Sequence, residues 1–104
     1  MVTVKELLVE EEATIDAIHQ LKEQISVAEM EKEELEFNLW TQTNFSKEGL
    51  SNADQRKAFV KFHMSLKNKE LASLKNDLLF SENHLKMIKQ KERFILEFGV
   101  DVLE

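Results

Sequence analysis

The side chains able to do chemistry in this chain are few in kind. There are three histidines, His19, His63 and His84, and no cysteine. A di-iron carboxylate bundle needs Glu-x-x-His motifs on facing helices. The residues three before each histidine are Asp16, Val60 and Ser81. Only Asp16 with His19 has ligand spacing, and it stands alone where a metal needs several converging ligands. No glycine-rich phosphate loop, G-x-S-x-G elbow or H-E-x-x-H helix is present, and these are the motifs that carry phosphate, acyl or zinc chemistry. Without thiols there is neither a disulfide framework nor a thiolate zinc site. No catalytic, cofactor-binding or metal-ligating residue is assigned, no cofactor is expected, and the expectation is a protein that is not an enzyme.

Charge and aromatic clustering point instead to contacts. Lys86, Lys89, Lys91 and Arg93 form one basic run, and Arg56, Lys57 and Lys61 a second. Such runs can grip phosphates. In an antiparallel hairpin they can equally pair with the acidic first half, where Glu31, Glu33, Glu34 and Glu36 face the Arg56 cluster. Residues 1–50 hold twelve acids against four bases, and residues 51–104 eight acids against ten bases, an asymmetry that suits two halves lying against each other. The whole chain carries a net charge of −6, which makes nucleic acid the less favoured partner. Five of the eight aromatic residues, Phe37, Trp40, Phe45, Phe59 and Phe62, fall around the middle of the chain. They are read either as a small core holding a connection or as a docking patch for a protein partner, since aromatics are enriched at binding hot spots.

Those residues must be positioned by helices. The chain has 104 residues, no proline, and glycine only at positions 49 and 99. Helix breakers are therefore scarce, while Glu, Lys, Leu, Gln and Ala recur. Thr3 and Glu6 form a T-x-x-E capping box, and Val2 with Leu7 a hydrophobic staple. A heptad seam follows through Val4, Leu7, Glu11, Thr14, Ile18, Leu21, Ile25, Ala28, Lys32, Leu35 and Leu39, with steps of three and four that keep it on one face. Leu8, Ile15 and Ala17 widen the stripe. The pattern stops near Thr41, and turn formers with Gly49 mark a connection at about 43–51. Ser51 or Asn52 suits the N-cap of the second helix, with Asp54 or Gln55 three residues on. Its apolar positions include Phe59, Phe62, Leu66, Leu71, Leu74, Leu78, Leu85, Ile88 and Ile95. The phenylalanines sit out of phase with the later leucines, as a local stutter would place them. Gly99 suits a left-handed C-terminal cap, with Val100 next.

The expected fold is all-α. It is a single domain over 1–104, folded as a long antiparallel two-helix hairpin of coiled-coil type. The first helix is expected at about 3–42, the second at about 52–98, and a short tail at 99–104. Short connections make neighbouring helices antiparallel. Val27, Met30, Phe37, Trp40, Val60, Leu79, Phe80, Met87, Phe94, Leu96 and Phe98 lie largely off the seam, more apolar surface than one hairpin covers. A homo-oligomer is expected, a dimer first, with two hairpins forming a four-helix or larger bundle. The N-terminus lacks the basic n-region of a signal peptide, and no window approaches the ~18 apolar residues of a membrane span. The expected location is the cytoplasm.

The stretch Lys47-Glu48-Gly49-Leu50-Ser51-Asn52-Ala53-Asp54-Gln55-Arg56-Lys57-Ala58 resembles a G-x-x-N-A-x-x-R-K-A segment of small helical proteins of bacteriophage and prophage type. There it lies between an acidic helix and a long following helix, as here. The resemblance covers about twelve residues and implies the hairpin, with no established activity to carry over. In that segment Arg56 and Lys57 occupy the first turns of a helix, where the helix dipole disfavours cations unless an acid or anion compensates.

Three functions follow in order. The first is an oligomeric interaction or structural module, of phage or prophage accessory type. The second is a nucleic-acid-associated protein using the basic second helix. The third is a holdase or adaptor that binds apolar segments at the hairpin tip.

Overall fold

The computed structural model describes residues 3–99 and shows two long helices packed as an all-α hairpin. Helix α1 runs Val4–Gln42 and α2 runs Ala53–Phe98. The start of α1 is the capping box: the Glu6 N–H donates to Thr3 Oγ1 at 3.1 Å, and the Thr3 N–H to Glu6 Oε2 at 3.3 Å. Two otherwise unpaired backbone donors are satisfied by this exchange. Val2, the outer half of the expected staple, lies outside the described residues, as do Val100 and the rest of the tail.

The connection is a set of tight turns. Asn44 Oδ1 accepts from the Lys47 N–H at 3.1 Å, and the Leu50 N–H returns to the Phe45 carbonyl at 2.8 Å. Gly49 has φ +74°, a conformation that costs any residue with a Cβ. Asn52 Oδ1 then accepts from the Gln55 N–H at 2.8 Å, filling one free donor of the first turn of α2, and the Gln55 side chain takes the Ser51 N–H at 3.0 Å just before it. Helix α2 closes on Gly99, at φ +89°, whose N–H donates to the Ile95 carbonyl at 2.7 Å.

Packing divides the hairpin into two compact units. One joins the start of α1 to the end of α2 (described residues 3–23 and 75–99). The other is Gln24–Leu74, which contains the connection. In the first, Leu7, Ile88 and Ile95 form a buried cluster, with Leu7 and Ile88 fully enclosed. Each such side chain contributes roughly 1.5–3 kcal/mol by leaving water. Ile18 and Thr14 are also buried, and the Thr14 hydroxyl donates to the Glu10 carbonyl at 2.7 Å. A threonine is tolerated in the seam because its polar hydrogen is satisfied within its own helix. In the second unit Ala28, Val60, Met64 and Leu71 are buried, flanked by half-buried Ile25, Leu35, Leu39 and Leu74.

The α1 seam from Leu7 to Leu39 is buried or half-buried at every position, whereas Val4 and Leu8 are exposed. Ile15 is half-buried and Ala17 exposed. Helix α2 departs from expectation. Its inward residues are Val60, Met64, Lys67, Leu71, Leu74, Leu78, Ser81, Leu85, Ile88, Glu92 and Ile95, an unbroken alternation of four and three with no stutter. Phe62 and Leu66 point outward, 74% and 78% exposed, and Val60, expected off the seam, is buried. The large aromatics suggested the wrong phase, because lysine, serine and glutamate occupy three of the true seam positions. Among the described residues, no helix is long and apolar enough to cross a membrane.

Candidate interaction surfaces

Around the connection, the expected site residues separate into two groups. Trp40, Phe45 and Phe59 form a chain of rings, with centroids 5.7 Å and 6.0 Å apart, continued by His63 at 4.3 Å from Phe59. Tilted and edge-on rings at these separations attract each other. Arg56 closes the group. Its guanidinium stands 5.3 Å over the Phe45 ring, and its Nε–H donates to the Leu50 carbonyl at 3.1 Å. The cation in the first turn of α2 is thus held by a π face and a loop carbonyl. Phe62, which also meets His63 edge-on at 5.5 Å, Phe37 and Lys57 are exposed.

The expected pairing of Glu31, Glu33, Glu34 and Glu36 with the Arg56 cluster is replaced by another. Antiparallel register brings Lys67 opposite Glu31. Lys67 Nζ donates to Glu31 Oε2 at 2.5 Å and to Glu70 Oε2 at 3.0 Å. The hydrogen bond to Glu31, then that to Glu70, hold the ammonium above its usual value of 10.5. This explains how a lysine can sit on the seam: its stem covers apolar surface while the head reaches carboxylates at the edge.

Register also creates a groove of about 300 Å³ within Gln24–Leu74. Val60 and Met64 form its floor, Trp40 a wall, and Lys32, Lys57 and Lys61 its rim, with Glu36 and Asn68 completing the lining. Among the described residues, no carboxylate makes an ion pair with those three lysines. Helix α1 meanwhile presents a different face outward. Val27, Met30 and Phe37 are 50%, 68% and 65% exposed, and Glu33 and Glu34 are exposed among them.

The other unit carries two features of its own. The seam carboxyls of Glu11 and Glu92 face each other. The hydrogen-bonding contact with Glu11, then desolvation, then the Glu11 charge raise the Glu92 carboxyl above 4.5, with Lys89 opposing. Glu92 Oε1 is shielded from solvent and has no hydrogen-bond donor among the described residues. At its edge, His84 Nε2 lies 2.7 Å from Glu10 Oε1. The second feature is an apolar line on the outer side of α2: Phe80, Met87 and Phe94 at seven-residue spacing, with the Phe98 ring tilted against Phe94 at 4.7 Å. Met87, Gln90, Lys91 and Phe94 enclose a shallow depression of about 290 Å³ there. The basic run Lys86, Lys89, Lys91 and Arg93 is exposed, and His19 is exposed on α1. Among the described residues, no group of three or more His, Asp or Glu side chains is placed to hold a metal ion.

Sequence reasoning missed Lys67 and Glu92 as seam residues. Counting back and forward from Leu71 by threes and fours would have found both. The chain matches no protein-family model, no curated protein and no solved structure.

Proposed function

We propose that this chain is a helical interaction module without catalytic activity that works as a homo-oligomer, two hairpins first pairing through the outer face of α2. The observation that carries this reading is the exposed line Phe80, Met87, Phe94 and Phe98, at 76%, 54%, 39% and 60% exposure. Its spacing is that of a second heptad seam on a helix whose first seam is already occupied. At ~200 Å² per phenylalanine the three rings alone leave roughly 350 Å² exposed. A standard interface takes ~800 Å² from each partner, a little over half of it apolar, so this stripe with its flanks is of the required size. The reading places the module in the cytoplasm, as an accessory protein of the phage or prophage type that Lys47–Ala58 resembles.

Sedimentation and light scattering across a concentration series test it, at 0.5 M NaCl so that ionic contacts are screened. A helical dimer that F80E/F94E converts to monomer supports the reading. A helical wild-type monomer at every concentration, or a dimer indifferent to F80E/F94E, overturns it.

A further inference from the structure

We infer that the basic groove of Gln24–Leu74 receives the acidic, apolar face of α1 from a second copy of the chain. The inference deepens the proposed self-association but uses none of Phe80, Met87, Phe94 or Phe98. Two complementary surfaces lie on the same unit. The groove has an apolar floor, Val60 and Met64, a tryptophan wall, Trp40, and three ammonium groups, Lys32, Lys57 and Lys61, that no carboxylate of the chain pairs with among the described residues. The α1 face has three exposed apolar side chains, Val27, Met30 and Phe37, set among exposed Glu33 and Glu34.

Their dimensions agree. From Val27 to Phe37 is ten residues, about 15 Å of helix, and the groove follows α2 from Lys57 to Asn68, about 16 Å. Val27, Met30, Glu34 and Phe37 step by three, four and three, the spacing with which one helix lays a stripe into a groove. The lysines then meet glutamates at the rim, where opposite charge sets partner choice and register more than affinity. No residue belongs to both surfaces, so each copy offers a groove and a stripe at once. Such a contact is heterologous: it propagates from copy to copy, either closing into a ring or growing as an open chain. It therefore adds higher assembly to the two-fold pairing proposed for α2.

The test uses charge reversal on exposed residues, with circular dichroism to confirm that each variant stays helical. At 50 mM NaCl the wild type should sediment as species larger than a dimer, weakening roughly tenfold towards 0.5 M. K57E/K61E and E33K/E34K should each abolish those species, and an equimolar mixture of the two should restore them, because each groove again meets a stripe of opposite charge. The emission of Trp40, the one tryptophan, should shift to the blue on assembly and in the mixture but not in either variant alone. M30A/F37A, which leaves every charge in place, should weaken assembly as well. Species unaffected by K57E/K61E, or a mixture that stays dispersed, would overturn the groove contact, as would a wild type that stops at a dimer at 50 mM NaCl. Loss of the dimer itself through F80E/F94E reports separately on the α2 pairing.

Discussion

Glu92→Gln should make the folded chain more stable at neutral pH, an unusual outcome for a seam substitution. Glu92 and Glu11 face each other between the helices, and Glu92 Oε1 is closed off from water without a donor. Near pH 7 the two carboxylates repel. Both residues are only half-buried, so the repulsion belongs at the screened end of the Coulomb scale, about 1 kcal/mol. The shift of the Glu92 carboxyl above 4.5 gives the sign. As pH falls, the folded chain takes up this proton before the unfolded chain does. The resulting stabilisation is complete below the unfolded value of 4.5 and is lost as pH rises through the folded one. Glutamine keeps the shape, carries no charge, and can donate to Glu11. The gain of about 1 kcal/mol at pH 7 corresponds to a rise in Tm of roughly 4–8 °C for a chain of this size. Thermal melts followed at 222 nm, at pH 7 and pH 4 and equal protein concentration, read it directly. The advantage should be present at pH 7 and gone at pH 4. A variant no more stable than wild type at pH 7, or an equal advantage at both values, refutes the reasoning.

Other substitutions probe the packing and the turns. Ile88→Ala empties a fully enclosed position beside Leu7 and Ile95 and should cost about 2–4 kcal/mol in denaturant titration. Asn52→Ala removes the acceptor for the Gln55 N–H and should cost about 1 kcal/mol, with helicity otherwise kept. Gly49→Ala meets no neighbouring atom within 4 Å, yet it should lower stability by roughly 1 kcal/mol because φ is +74°. Gly49→Asn should lose less, since asparagine tolerates that region better.

Reading the sequence was most productive where one residue determines its own backbone. Thr3 with Glu6, Asn52 with Gln55, and the two glycines act over three or four residues, so their geometry follows from spacing. The α1 seam was legible for a similar reason: its polar members, Glu11, Thr14 and Lys32, are outnumbered by aliphatics in strict alternation. In helix α2 side-chain size does not track burial. Phe62 and Leu66 are large and exposed, while Val60 and Met64 are buried, and Lys67 holds a seam position that a hydrophobicity pattern assigns to solvent. The partner of Glu31 is set by something local sequence does not contain. Cross-helix pairing depends on register, which the residues consumed by the turns after Gln42 set. The groove between Trp40 and Lys61 is a product of that register, and its two helices contribute lysines that lie 25 to 29 positions apart in the chain.

The long reach of one pairing compared with another sets an order of folding events. Glu31 and Lys67 are 36 residues apart, whereas Glu10 and His84 are separated by about twice that. Closing the wider span before anything else has formed costs about 0.6 kcal/mol more in chain entropy. Once the turn at Gly49 and the Lys67 contact exist, the effective loop left for each further layer shrinks to a few residues. The hairpin should accordingly nucleate at its bend and zip outward, with amide protection appearing first in Gln24–Leu74 and last around Leu7 and Ile95. In pulse-labelling exchange, the most enclosed side chains of the molecule would thus belong to the segment that is captured latest.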